Sequence, residues 1–216
     1  MAQRERGLHR LLGASRIYQG VQDLLGARRF QRRFVADWLG LRPGHRLLDI
    51  GCGPAAILEH VPAGVEYHGF DDSADYLAAA RARFGHRGTC RPARVERATL
   101  DRLGGFDRVI AIGVLHHLDD DAAAALLDLA AAALAPGGAL VTYDPCFAPG
   151  QPRLARFLAE RDRGQNVRTP DAYAALAGAR FAAVTPEVVS GHLRVPYTAT
   201  VMTCREPRLV PAGAAY

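Results

Sequence analysis

The stretch Arg46-Leu47-Leu48-Asp49-Ile50-Gly51-Cys52-Gly53-Pro54-Ala55-Ala56-Ile57-Leu58 decides the fold. Its first half is an apolar run of strand length. Gly51 and Gly53 then turn the chain sharply, and the apolar pattern that resumes after Pro54 predicts entry into a helix. Glycine removes the Cβ that would collide with a ligand, and the first N–H groups of a helix have no internal partner. A strand, a glycine turn and a helix start therefore describe a nucleotide-type site.

Two fingerprints compete for this stretch. Gly51-x-Gly53-x-x-Ala56 satisfies the loose dinucleotide pattern, with Asp71 near the ~20-residue offset of a ribose-binding acid. The second fingerprint includes Asp49, two places before the first glycine. Asp49-Ile50-Gly51-Cys52-Gly53-Pro54 resembles the first motif of class I S-adenosylmethionine-dependent methyltransferases. Segments further along favour it. Val65 to Ser73 reads as a second strand ending in acids, followed by a helix from Asp75 to Phe84, and a third strand is expected over Thr89 to Val95. Gly105 to Leu118 resembles the family's fourth strand and the Leu-His-His loop after it. Ala122 to Ala135 reads as a helix, and Pro136-Gly137-Gly138 into Val141-Thr142-Tyr143-Asp144 resembles the family's turn into strand five. The three family-like segments stand in the family's order and span Arg46 to Asp144. A short-chain dehydrogenase would need Tyr-x-x-x-Lys, and this chain has no lysine.

The resemblance implies a three-layer Rossmann-like α/β sandwich. Its seven-stranded, mostly parallel sheet would close with an antiparallel hairpin, read here as Phe181 to Ser190 and Arg194 to Cys204. A helical cap is read over Ser15 to Leu39, where apolar residues recur at threes and fours and Gly26 offers a division into two helices. The whole of 1–216 is expected as one domain: cap 1–40, cofactor half 41–145, and a substrate-side insertion with the hairpin over 146–216. Thr169-Pro170-Asp171 in that insertion is a helix start.

S-adenosylmethionine is the implied cofactor and S-adenosylhomocysteine the product. The residues implied to bind it are Asp49, Gly51, Cys52 and Gly53 in the first loop. Asp71 would hold the ribose hydroxyls, with Asp72 beside it near the adenine edge, and the backbone around Gly113 and Leu115 would pass the methionine end. After the third strand the family often carries an acid, and the register here offers Arg94, Val95 or Glu96. Cys52 reads as a small turn residue. The catalytic candidates are His116, as general base or substrate contact, Tyr18 from the cap, and Asp144 at a C-terminal strand end. His116 and His117 precede Asp119, Asp120 and Asp121, but neighbouring residues point about 100° apart on a helix and cannot form an i,i+4 zinc clamp, so no metal is expected. Asp144-Pro145-Cys146-Phe147 is similar to the motif of nucleic-acid amino methyltransferases, yet it follows strand five where theirs follows strand four.

Composition bounds the rest. A chain of 216 residues with 49% hydrophobic content can bury a sizeable core. No run reaches ~18 apolar residues, so no membrane span is expected, and the broken apolar stretch after the charged start does not read as a secretory signal. Four cysteines stand singly, as suits reduced thiols in the cytoplasm. The net charge of +5 rests on dispersed arginines, a composition that a GC-rich bacterial genome explains, with no basic run interleaved with aromatics for nucleic acid. The acceptor is expected to be a small molecule, and an anionic one if Arg161, Arg163 or Arg168 grips it. Intramolecular displacement within the cofactor and RNA methylation are the alternatives.

Overall fold

The computed structural model describes residues 26–93, 95–162 and 164–208. Tyr18 and most of the expected cap lie outside them. Seven strands, β1 (Arg46–Ile50), β2 (Glu66–Asp71), β3 (Gly88–Pro92), β4 (Phe106–Ile112), β5 (Leu134–Pro145), β6 (Phe181–Ser190) and β7 (Thr198–Pro207), form one sheet in the order β3-β2-β1-β4-β5-β7-β6. The first five run parallel, and β7 lies antiparallel between β5 and β6. This is the expected mostly parallel sheet with its closing hairpin. The chain leaves β1 toward β2 and β3, then crosses back to β4. That reversal opens a crevice at the C-terminal ends of β1 and β4, where ligands of open α/β sheets bind.

Alternation along the strands builds two cores. Leu47, Tyr67, Ile110, Val141 and Val201 pack on one face with Phe30 and Phe34 of helix α1 (Ala27–Phe34) and Leu77 of α2 (Ala74–Phe84). Leu48, Phe70, Val109, Leu140 and Met202 pack on the other with Leu100 of α3 (Arg97–Leu103), Leu127 of α4 (Asp120–Ala133) and Tyr173 of α6 (Pro170–Gly178). Between the last two, α5 (Arg153–Glu160) follows β5. Helix starts follow the capping residues: Ala122 N donates to the Asp119 carboxylate (2.9 Å) and Ala172 N to the Thr169 hydroxyl (3.2 Å), with Pro170 in the first turn. Gly26, left-handed at φ 99°, marks the start of α1, at the division that the sequence offered. No helix among the described residues is long and apolar enough to cross a membrane.

Four expectations need correction. The helix after the glycine loop is a single 3₁₀ turn, Ala56–Glu59. Left-handed Ala55 (φ 54°) precedes it, and Pro62 follows, disfavouring helical geometry at Val61 and offering no N–H. The third strand ends at Pro92, three residues early, and β7 begins at Thr198, four residues later than read. The Pro136-Gly137-Gly138 turn lies within the span of β5 as an irregularity: pairing jumps from Phe106 opposite Leu134 to Arg108 opposite Ala139.

Gly51 is where the two central loops meet. Its φ is +75°, and a Cβ there would lie 2.7 Å from Val114 Cγ2. Gly51→Ala therefore combines left-handed strain, ~1–2 kcal/mol, with overpacking of ~1–3 kcal/mol. Urea titration should show the substitution costing less in a Val114→Ala background, where only the backbone strain remains. Equal costs in both backgrounds would mean that the loops do not touch at this point.

Candidate functional site

The site begins at the C-terminal end of β1. Asp49 is buried, and the Tyr67 hydroxyl donates to its Oδ2 at 2.7 Å. Burial pushes the Asp49 carboxyl up to about 7; the Tyr67 bond opposes that rise and the negative charge of Asp71 adds to it. Past β1 the amides of Gly51 and Cys52 both donate to the Phe70 carbonyl, at 2.8 and 3.0 Å. The loop is thus bound to the end of β2 by its own backbone.

Asp71 completes that attachment. Gly53 N donates to its Oδ2 at 2.9 Å and Ser73 N to its Oδ1 at 2.8 Å, so one carboxylate ties the glycine loop to the start of α2. Gly53 is left-handed (φ 51°), and no atom of the described residues beyond its chain neighbours lies within 4 Å of where its Cβ would be. The loop therefore presents an open face beside Asp71 and the exposed Asp72. Cys52 is buried, and its thiol is pushed up by a hydrogen bond to Cys90 and by burial, in keeping with a packed turn residue and not a nucleophile.

The second half lies at the ends of β4 and β5. Gly113 turns the chain at φ 69° and its N–H donates to the Tyr143 carbonyl (2.7 Å). Leu115 and His116 follow, both buried, in a 3₁₀ turn. Asp144 Oδ1 accepts from His116 N (3.1 Å) and meets His116 Nδ1 at 2.8 Å. His116 Nε2 meets Asp162 Oδ1 at 3.2 Å, and the Tyr197 hydroxyl donates to Asp162 Oδ2 at 3.4 Å. Burial raises the Asp144 carboxyl, while its bonds to His116 pull the other way. Gly164 lies against the imidazole, leaving no room for a Cβ. Both nitrogens of His116 are thus engaged by carboxylates, so no free nitrogen faces a cleft. Asp162, with 24% of its side chain exposed, is the open end of this Asp144–His116–Asp162–Tyr197 series.

Of the residues read from sequence, Asp49, Gly51, Cys52, Gly53 and Asp71 come together around one loop, and Gly113, Leu115, His116 and Asp144 around the next. Val114 joins the two through its contact with the Gly51 position. The arginines expected to grip an anion do other things. The Arg168 guanidinium donates to Asp120 and to the carbonyls of Leu115, Leu118 and Asn166, and Arg161 stacks on Phe157, 3.9 Å from the ring centroid. Arg163 lies outside the described residues. Sequence reading missed Tyr67 and Asp162. Tyr67 was accessible: Leu47 pairs with Tyr67 and Asp49 with Gly69, so Tyr67 and Asp49 share a face one pair apart. Asp162 carries no periodic signal. Among the described residues no group of three His, Cys, Asp or Glu side chains could hold a metal ion.

Comparison with known proteins points one way. Residues 48–140, from β1 into β5, match the family model described as a methyltransferase domain. An uncharacterized protein of Synechococcus sp. is 37% identical over 103 residues, which is 44% of this chain and 24% of that protein. Cyclopropane mycolic acid synthase 2 of Mycobacterium leprae is 33% identical over 102 residues, 44% of this chain and 33% of that enzyme. The chain thus spans a quarter to a third of the length of the curated relatives it matches. Human N-acetylserotonin methyltransferase, solved in complex with S-adenosylmethionine, superposes with a TM-score of 0.65 at 16% identity, covering 94% of this chain and 57% of that one. At that identity the likeness shows the fold alone: residues 48–140 are similar to a methyltransferase domain, and the sheet has the order and the closing hairpin of the methyltransferase fold.

Proposed function

We propose that the chain transfers the methyl group of S-adenosylmethionine to a small acceptor molecule. The carrying observation is the Asp71 bridge between the glycine loop and α2, beside the open face at Gly53. Each Asp71 oxygen uses one acceptor position on a backbone N–H and keeps another for a ribose hydroxyl. Asp49, Gly51, Cys52 and Gly53 would form the floor, Asp72 the adenine side, and the Gly113–Leu115 backbone the methionine end. Bound there, S-adenosylmethionine supplies an electrophilic methyl group on a sulfonium.

The chain's own contribution is alignment, exclusion of water and disposal of the acceptor's proton. Asp162 is the group that an acceptor can reach. A proton received at Asp162 can be shared with His116 Nε2 at 3.2 Å, while Asp144 fixes the imidazole from behind. His116 and Asp144 are then positioning residues, and Tyr18 remains a candidate acceptor contact from the cap. A small acceptor is supported by the likeness in fold to N-acetylserotonin methyltransferase. The four buried free cysteines suit a cytoplasmic setting.

Calorimetry with S-adenosylhomocysteine tests the cofactor site. Asp71→Ala should weaken binding ~30- to 1000-fold, the worth of two charge-assisted hydrogen bonds; binding equal to wild type would remove Asp71 from the site. Gly53→Val should abolish binding yet lower the melting temperature by only a few degrees, since the substituent meets open space and the left-handed backbone costs ~1–2 kcal/mol. Retained binding would place the cofactor elsewhere.

Asp49 gives an independent check through pH. Its carboxyl titrates near 7 in the folded chain and near the ordinary 3.8 when unfolded. The folded state therefore keeps a proton that the unfolded state has lost, and stability falls as pH rises from about 4 to 7, by up to ~1.4 kcal/mol per pH unit. Asp49→Asn should flatten this slope in denaturant titrations at pH 5, 6 and 7. Parallel slopes in variant and wild type would show that Asp49 titrates as an exposed carboxyl.

A further inference from the structure

Asp144 on β5 and Thr200 on β7 stand directly opposite each other in the antiparallel pairing, so their side chains leave the sheet on the same face. Each residue is only 1% exposed. Asp144 Oδ1 accepts from His116 N at 3.1 Å and meets His116 Nδ1 at 2.8 Å, and the Leu115 amide also favours the charged carboxylate. Asp144 Oδ2 has no hydrogen-bond partner among the described residues, and neither has the Thr200 hydroxyl. One buried cross-strand pair thus holds an unmet acceptor and an unmet hydroxyl, and a buried polar group left unmet is costly.

The Cβ atoms of two residues opposed in this way lie ~5 Å apart. Rotation of the threonine about its Cα–Cβ bond therefore suffices to carry its hydroxyl to the carboxylate. A hydroxyl suits the position in both protonation states of the acid, since it donates to a carboxylate and accepts from a carboxylic acid. That matters because burial raises the Asp144 carboxyl. The neighbouring hydroxyls are already committed: Tyr173 of α6 donates to the Pro145 carbonyl at 3.2 Å, and Tyr197 donates to Asp162. Thr198, two residues before Thr200 on the same face, also has a buried hydroxyl without a partner, but it is paired with Ser190 and its carbonyl accepts from Cys146 N. No acid stands opposite it.

We propose that Thr200 is a positioning residue on the acceptor side of the site, its hydroxyl bonding Asp144 Oδ2 and so fixing the carboxylate that orients His116. This rests on the methyl-transfer reading above, in which Asp162 shares the acceptor's proton with His116. A carboxylate bonded through one oxygen can still turn about the bond to its Cβ, and a bond on the second oxygen stops that turn. Oδ1 then stays on His116 N and Nδ1, and His116 Nε2 stays on Asp162, 3.2 Å away. Order at the buried end of the series is passed through Asp144 and His116 to Asp162 at its open end.

Nitrogen NMR of the full chain tests this by reading the ring nitrogens of His116, assigned through their loss in His116→Gln. Thr200→Val keeps the branched shape and removes the hydroxyl, and the His116 Nδ1 resonance should shift. Thr200→Ser should return it to the wild-type position. Thr198→Val should leave it there, although that change removes an equally buried hydroxyl from the same strand face. Thr200→Ala, which removes the hydroxyl and puts no methyl in its place, gives a second reading of the same shift. Calorimetry with S-adenosylhomocysteine in parallel should find the Thr200 variants within ~2-fold of wild type, since the cofactor loop lies apart from this pair. Coincident Nδ1 resonances in wild type and both hydroxyl-free variants overturn the proposal. So does an equal shift from Thr198→Val, which would mean a general loosening of β7. Failure of every protein to bind S-adenosylhomocysteine, with the resonance still dependent on the Thr200 hydroxyl, would count against methyl transfer and leave the positioning of His116 standing.

Discussion

The carboxylate of Asp71 holds the ligand end of this molecule in shape. Without its bonds to Gly53 N and Ser73 N, the glycine loop would depend on the bonds from Gly51 and Cys52 to the Phe70 carbonyl, which fix only its first half. Two left-handed glycines and the left-handed Ala55 make the loop costly to organise, and a charge-assisted bond at its midpoint offsets that cost. On the proposed reading, structural and binding duties converge on one side chain, so Asp71→Ala damages affinity more than lost ligand contacts alone would.

A second constraint is the burial of acids on both sides of the sheet. Asp49 lies on the face covered by α1 and α2, and Asp144 on the opposite face. Each is stabilised by a single ring-bearing partner, Tyr67 or His116. Asp144 is not fully satisfied: among the described residues its Oδ2 has no hydrogen-bond partner, and neither has the hydroxyl of Thr200, paired with it across β7. Burying a carboxylate costs several kcal/mol unless partners compensate. Such positions persist where function requires them, and both sit at the C-terminal strand ends where an α/β sheet binds its ligands.

Local order was legible because it is written in contiguous residues. The β1–loop pattern at 46–58, the capping Thr169, and the turn glycines at 51, 53 and 113 each act within a few residues of themselves, and the mostly parallel sheet with its closing hairpin followed from the order of the family-like segments. The illegible parts depend on distant pairings. The 3₁₀ turn at Ala56 replaced a helix because Pro62, lying beyond the apolar pattern, stops it. Asp162 meets His116 across 46 positions, and Arg168 is drawn to Asp120 and the 115–118 carbonyls by tertiary packing alone.

The fate of Arg168 bears on how anions are recognised in a chain whose only strong cations are arginines. Five donors in a rigid fork make arginine as useful for clasping backbone carbonyls as for gripping a ligand. Arg46, Arg81, Arg108 and Arg168 all donate to main-chain oxygens and serve as struts between elements. Sequence clustering therefore says little about anion affinity here: of the arginines between 161 and 168, Arg161 stacks on Phe157 and Arg168 is held by Asp120 and main-chain carbonyls.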